Sequence, residues 1–321
     1  MNSYDVVVIG GNPAGGTAAG AAKKLNNGKS VLVIRKEPDA LVPCGIPYTF
    51  GTLGSVEDDI KPIGPAKKAG IEFLIDEVMA VDTEAKNLTL KKGEGISYEK
   101  LIFATGSEPV VPPIPGHDLD GVVTIRKDLA YIKSIHGSLK AAQNVVIVGA
   151  GFIGVEMSDE LAKAGVHVTL VEAMDTILPL AFDADIIVPA QDFLKSHGVA
   201  VKTNEMVASI EGENGKVAAI KLKSGELIEA DKVILAIGYR PNTELAKEAG
   251  LEIGRFGGIM TDEYMRTSAA DVFAVGDCAK HRDFFTHKPS RLMLASTAAA
   301  EARIAGMNLF HLKVMRQTKG S

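Results

Sequence analysis

Apolar residues along the chain fall into two kinds of run. Four are continuous and rich in β-branched residues: "VVVIG" at 6–10, "SVLVIR" at 30–35, "VVIVG" at 145–149 and "HVTLVE" at 167–172. Such runs, without polar alternation, predict strands buried on both faces. Between the members of each pair lies a glycine-rich turn followed by an alanine-rich pattern of helical period, as in "VVVIGGNPAGGTAAGAAKKL" (6–25) and "VVIVGAGFIGVEMSDELAKAG" (145–165). Strand, turn, helix and strand make a βαβ unit, and the chain contains it twice. Further on, short alternating segments at 71–106 and 199–238 read as a β-meander returning to a buried strand in each half. The same five elements recur in the same order.

The proline-dense stretch "SEPVVPPIPG" (107–116) predicts a stiff connector between the halves, and "YRPNTELAKEAG" (239–250) a second. After it come only a short strand, "DVFAVGD" (271–277), and a helical pattern over about 291–312. These are too few elements for a domain of their own, so they are expected to complete the first. The predicted fold is α/β: two Rossmann-like dinucleotide-binding domains, one inserted in the other, with residues 1–112 and 246–314 as the outer domain and 113–245 as the insert.

Composition narrows the setting. With 46% hydrophobic and 23% charged residues the 321-residue chain suits packed globular domains, and a net charge of -5 with scattered lysines and arginines offers no basic face to nucleic acid. No apolar run reaches the length of a membrane span, and the start of the chain lacks a basic-then-apolar leader, so a cytoplasmic protein is expected. Two distant cysteines, Cys44 and Cys278, form neither a disulfide framework nor a zinc site, and none of the seven histidines falls at metal-ligand spacing.

A strand ending in Gly-x-Gly-x-x-Gly that opens a helix sets backbone amides against a pyrophosphate. The second unit has the full pattern in Gly149, Gly151 and Gly154, and Glu172 stands at the end of its next strand. A carboxylate there accepts from both ribose hydroxyls and repels a 2'-phosphate; Ala173 and Met174 supply no arginine clamp, which favours NADH over NADPH. The first unit has Gly10 and Gly15 in the outer positions, but Asn12 replaces the middle glycine. Arg35-Lys36-Glu37 stands where an acidic strand end is expected. Either another group contacts the ribose, or Glu37 reaches back to it.

Together with the two loops, "LIFATGSEP" (101–109), "VILAIGYRPN" (233–242) and "VFAVGDCA" (272–279) resemble the FAD-dependent pyridine nucleotide-disulfide oxidoreductases over nearly the whole chain. The resemblance implies a three-layer, glutathione-reductase-like arrangement, with FAD on the first unit and NADH on the second. It implies FAD contacts from Gly10, Asn12, Pro13, Ala14 and Gly15, from Arg35 and Lys36, and from Pro43 and Val78. Ala104, Thr105 and Gly106 would close over the dinucleotide, Asp277 would bond the ribityl chain, and the helix near Ala295 would face the flavin ring. On the second unit it implies contacts from Gly149, Gly151, Ile153, Gly154, Glu172 and Gly238, an aromatic gate at Phe152 and an acidic neighbour at Glu156. The family continues into a dimerisation domain; residues 315–321 are only a stub of it, so the homodimer that the family implies is in doubt for this chain.

Cys44, in "VPCGIPY", is fenced by prolines and glycine, with no second cysteine in a C-x-x-x-x-C pair. The pattern resembles the single-cysteine branch: coenzyme A-disulfide reductases, polysulfide and persulfide reductases, NADH oxidases and NADH peroxidases. Pro47 fits an early helical position, which would place Cys44 near a helix N-terminus that favours the thiolate. The histidine that the peroxidases carry in the first loop is Pro13 here, which weighs against peroxide chemistry. Cys278, next to Asp277, reads as packing. The expected activity is NADH-dependent reduction, through FAD and Cys44, of a small disulfide, persulfide or polysulfide. The alternatives are an NADH oxidase that reduces oxygen, and a flavin redox sensor or electron-transfer module.

Overall fold

The computed structural model describes residues 2–320 except 27, 94, 180, 314–316 and 319. It divides into two compact units, one of Met1–Val42, Lys61–Glu108 and Arg240–Ser321, the other of Pro43–Ile60 and Pro109–Tyr239. The segment Pro43–Ile60, which the sequence reading puts in the outer domain, groups with the inserted unit instead. The expected end of the outer domain at 314, and much of the 315–321 stub, lie outside the described residues.

The chain begins in the first unit with β1 (Asn2–Ile9), α1 (Pro13–Leu25), β2 (Val31–Arg35), β3 (Ile71–Ile75), β4 (Val78–Asp82), β5 (Asn87–Leu90) and β6 (Gly95–Phe103). The second unit follows with β7 (Val122–Val123), α2 (Leu129–Lys140), β8 (Asn144–Val148), α3 (Phe152–Lys163), β9 (His167–Val171), α4 (Ala184–Ser196) and β10 (Ala200–Lys202). It closes with β11 (Val207–Glu213), β12 (Lys216–Leu222), β13 (Leu227–Glu229) and β14 (Lys232–Leu235), before β15 (Val272–Ala274) and α5 (Ala295–Met307) return to the first.

In the first unit the sheet order is β3-β2-β1-β6-β5-β4, with β15 also on β6. The strands β3, β2, β1, β6 and β15 are parallel, and β4 and β5 are antiparallel. Val6, Val7 and Val8 have no exposed surface, and full burial of each such side chain contributes about 2 kcal/mol. The helix α1 starts cleanly because Pro13, at its first position, already has helical φ. Its buried Ala18 and Ala22 let α5 come close: a Cβ on Gly306 of α5 would lie 2.7 Å from the carbonyl oxygen of Ala18.

In the second unit five parallel strands run β7-β14-β8-β9-β10, and β11-β12-β13 form a separate antiparallel sheet. These are the two repeats of the sequence: buried strand, glycine turn, helix, buried strand, meander. The meanders differ in use, since β4 and β5 extend the first unit's main sheet while β11-β12-β13 stand apart.

Candidate functional site: two glycine loops and a cysteine strap

Both loops obey the same steric logic. Gly10 and Gly149 have φ of +109° and +100°, a region that favours glycine. A Cβ on Gly10 would lie 2.1 Å from the Ala104 carbonyl oxygen, and one on Gly149 would lie 2.6 Å from that of Ala236. One turn into each helix, a Cβ on Gly15 or Gly154 would lie 1.9 Å from the carbonyl oxygen of Gly10 or Gly149 respectively. The middle positions are different. Asn12 and Gly151 are the N-caps of α1 and α3, with φ, ψ of -75°, -173° and -74°, -172°, and nothing lies within 4 Å of a Cβ on Gly151. The backbone there accepts any residue, which is why Asn12 breaks the motif without breaking the loop.

The next strand of each unit meets its loop in the same register. Gly10 N–H donates to the Ile34 carbonyl and Gly149 N–H to the Val171 carbonyl, both at 2.8 Å, so Arg35 and Glu172 are equivalent residues. Glu172 is buried, accepting from Ala150 N at 2.7 Å and Met174 N at 2.8 Å. Each carboxylate oxygen keeps lone pairs for further donors, as ribose recognition requires. At the first loop Lys36 is exposed and paired with Glu77 at 2.5 Å. Lys36 and Lys91, outweighing a small opposing effect of burial, hold the Glu77 carboxyl below its usual range.

Several other first-unit residues converge on α1. Ala104 touches both outer glycines of the loop. Thr105 donates its hydroxyl to Asn242 O at 2.6 Å, and Gly106 O accepts from Asn242 N at 2.9 Å, which fixes the "ATG" turn. Asp277 lies in a 3-10 turn, Gly276–Cys278, and accepts from the Ser107 hydroxyl at 2.6 Å. A Cβ on Gly276 would lie 2.7 Å from that of Ala14, so this turn packs on the first turn of α1. Ala295 is the exposed first residue of α5, and Val78, half-buried, opens β4. Cys278 is wholly buried and burial raises its thiol pKa, in keeping with a packing role.

Pro43 and Cys44 belong to the second unit's Pro43–Ile60 strap. The helix expected near Cys44 is a four-residue 3-10 turn, Pro47–Phe50, and Cys44 sits exposed in the bend before it. So short a turn sums too few aligned peptide dipoles to act as a helix N-terminus on the thiol, and that part of the expectation does not hold. The strap is held by groups with no signal in the local sequence. Buried Glu160 of α3 accepts from Thr52 N at 2.7 Å and from the Thr52 hydroxyl at 2.9 Å. A Cβ on Gly51 would lie 2.3 Å from the Glu160 carbonyl oxygen. His136 Nε2 lies 2.8 Å from the Thr49 carbonyl oxygen, its ring 5.0 Å from that of Phe50, and Lys133 pairs with Glu57 at 2.6 Å. Asp59, buried, packs on Gly45, the residue after Cys44.

The helix that grips the strap opens on the second glycine loop. Its first residue, Phe152, packs edge-on against Phe182 at 5.9 Å, and Ile153 follows half-buried. Half-buried Glu156 has its pKa raised, first by burial and then by the Glu160 carboxylate. Gly238, at φ +110°, is exposed, and its carbonyl accepts from Val110 N.

Residues 4–302 match the pyridine nucleotide-disulphide oxidoreductase family. This chain belongs to that family. It is 36% identical over 316 residues to an NADH oxidase of Methanocaldococcus jannaschii, covering 94% of this chain and 69% of the relative. It is 36% identical over 312 residues to an NAD(P)H coenzyme A polysulfide/persulfide reductase of Pyrococcus horikoshii, covering 95% and 69%. An NAD-dependent persulfide reductase structure from A. fulgidus superposes with a TM-score of 0.90 at 31% identity, over 98% of this chain and 60% of that one. The chain is thus an oxidoreductase of this family, and the groups that the sequence resemblance implies for it are FAD and NADH. The residues present fit both groups. The glycine cradle and first-turn amides of α1 suit the pyrophosphate of one dinucleotide, and those of α3, with Glu172 beside them, suit NADH. Among the described residues no helix is long and apolar enough to cross a membrane.

Proposed function

We propose that the chain reduces a small disulfide, persulfide or polysulfide, coenzyme A disulfide included, with NADH as donor and Cys44 as the reacting sulfur. FAD is placed on the first unit, residues 1–42, 61–108 and 240–321, and NADH on the second. The observation that carries this reading is Cys44 itself: an exposed thiol on an anchored strap, while the chain's other cysteine, Cys278, is wholly buried. Bound FAD supplies a two-electron store that accepts from NADH. The Cys44 thiolate attacks one sulfur of R–S–S–R, forming Cys44–S–S–R and releasing R–S⁻. Two electrons from NADH then cleave the new disulfide, restoring the Cys44 thiolate and releasing a second R–S⁻, with NAD⁺ and a proton as the other products. Glu172 binds the NADH ribose and excludes NADPH, Glu160 and His136 hold the strap, and Glu156, kept easy to protonate, can hold a proton on α3.

An oxidase that reduces oxygen is the second reading, favoured by the 36% identity to the M. jannaschii NADH oxidase. NADH consumption under strict anaerobiosis with coenzyme A disulfide or polysulfide, beside the same protein in air without a sulfur acceptor, separates the two. The proposal expects anaerobic turnover that falls at least a thousandfold in Cys44→Ser. Turnover in air alone makes it an oxidase.

A further inference from the structure

The two loops share geometry but carry opposite charge at the same point. Glu172 has a backbone donor on each oxygen, whereas Arg35, only 4% exposed, has no hydrogen-bond partner for Nε or Nη1. Its Nη2 donates to the Pro38 carbonyl. The side chain lies over the loop: a Cβ on Gly11 would be 2.6 Å from Arg35 Cδ. The ring of Phe73 lies 5.5 Å from the guanidinium carbon. A second cation stands at the same helix start. A Cβ on Gly16, in the first turn of α1, would be 3.2 Å from Lys61 Nζ. Glu37 and Asp39, the carboxylates acting on Arg35, lie just after β2 and leave Nε and Nη1 without a hydrogen bond. A buried guanidinium with two idle donors, a second cation and the amides of a 13-residue helix together call for an anion with several oxygens.

We propose that Arg35 and Lys61 form a cationic clamp on the pyrophosphate of the dinucleotide held by the first loop. It replaces the carboxylate-to-ribose contact that Glu172 offers at the second loop. The clamp rests on the assignment of FAD to this loop, and it gives the loops opposite selectivity: the second repels added phosphate at the ribose, and the first holds its ligand through phosphoryl oxygens.

The test is the FAD dissociation constant of the intact holoprotein, read from the fluorescence of released flavin across a salt series, for wild type, Arg35→Met, Lys61→Met and Arg35→Lys. NADH binding to the second unit serves as the check on folding. Each methionine variant should weaken FAD about tenfold or more and flatten the salt dependence, with Arg35→Lys intermediate. The dissociation constant of ADP itself should rise about tenfold from wild type to Arg35→Met, whereas that of adenosine, which has no phosphate, should be the same for both. Should Arg35→Met fail the folding check, Lys61→Met and the wild-type salt series decide. FAD binding that ignores salt and both substitutions overturns the clamp and leaves the proposed reaction standing. A wild-type protein that binds no FAD overturns both.

Discussion

Glu172 joins an observed structural role to the selectivity proposed for it. Its carboxylate ties down the second loop through Ala150 N and Met174 N, and the same oxygens are those proposed to accept from the ribose. Glu172→Ala is therefore expected to raise the ratio of NADPH to NADH kcat/KM about tenfold and also to cost about 1–3 kcal/mol, because two amides lose their acceptor. Glu172→Gln keeps one acceptor oxygen, so it should recover part of the stability while keeping the altered ratio. Steady-state kinetics with both nucleotides and urea unfolding check the two halves, and an unchanged ratio would remove Glu172 from the ribose. Asn12 teaches the converse: a missing motif glycine leaves the loop intact where the backbone is extended.

Among the elements, the strap gains most from a partner distant in sequence. Nothing near Pro43–Ile60 announces that Glu160, 108 residues beyond Thr52, will accept its amide and hydroxyl. Glu160→Ala leaves the Thr52 amide without its acceptor, and a stability loss of about 1–3 kcal/mol is expected with faster proteolytic cleavage within 43–60. Gly51→Ala should act likewise by forcing the strap off α3. Thermal unfolding with mapping of the first cleavage sites checks both; resistant variants would show that other contacts hold the strap. The 3-10 turn at Pro47–Phe50 has the same origin, since tertiary anchoring decides how far a short proline-led turn continues.

Two charge clusters, one partly exposed around Asp5 and one buried around His281, make the stability of the molecule depend on pH. Burial alone would raise the Asp5 pKa, but Lys29 and Ser30 outweigh it and bring it from 3.8 to about 2. A depressed carboxyl stabilises above its unfolded value, and the contribution disappears as pH falls through about 2. His281 shifts the other way: burial alone would lower its pKa, but Glu301, 3.2 Å away, outweighs this and raises it above 6.5. Its contribution is complete below pH 6.5 and declines as pH rises through the folded value. Wild type is thus expected to lose stability on going from neutral to alkaline pH in a step missing from His281→Gln, and on acidification in a step missing from Asp5→Asn. Urea midpoints against pH check both, and parallel profiles of wild type and variant would remove the group concerned. The sequence by itself determined the buried strands, both glycine turns, the helices after them and the family, because these follow from periodicity and from local steric demands such as those on Gly10 and Gly149. Only the tertiary structure decided the side of the strap, the short turn after Cys44, the idle donors of Arg35 and the placing of Lys61. Each depends on which distant residue desolvates or pairs with a group, and a linear pattern does not encode that partner.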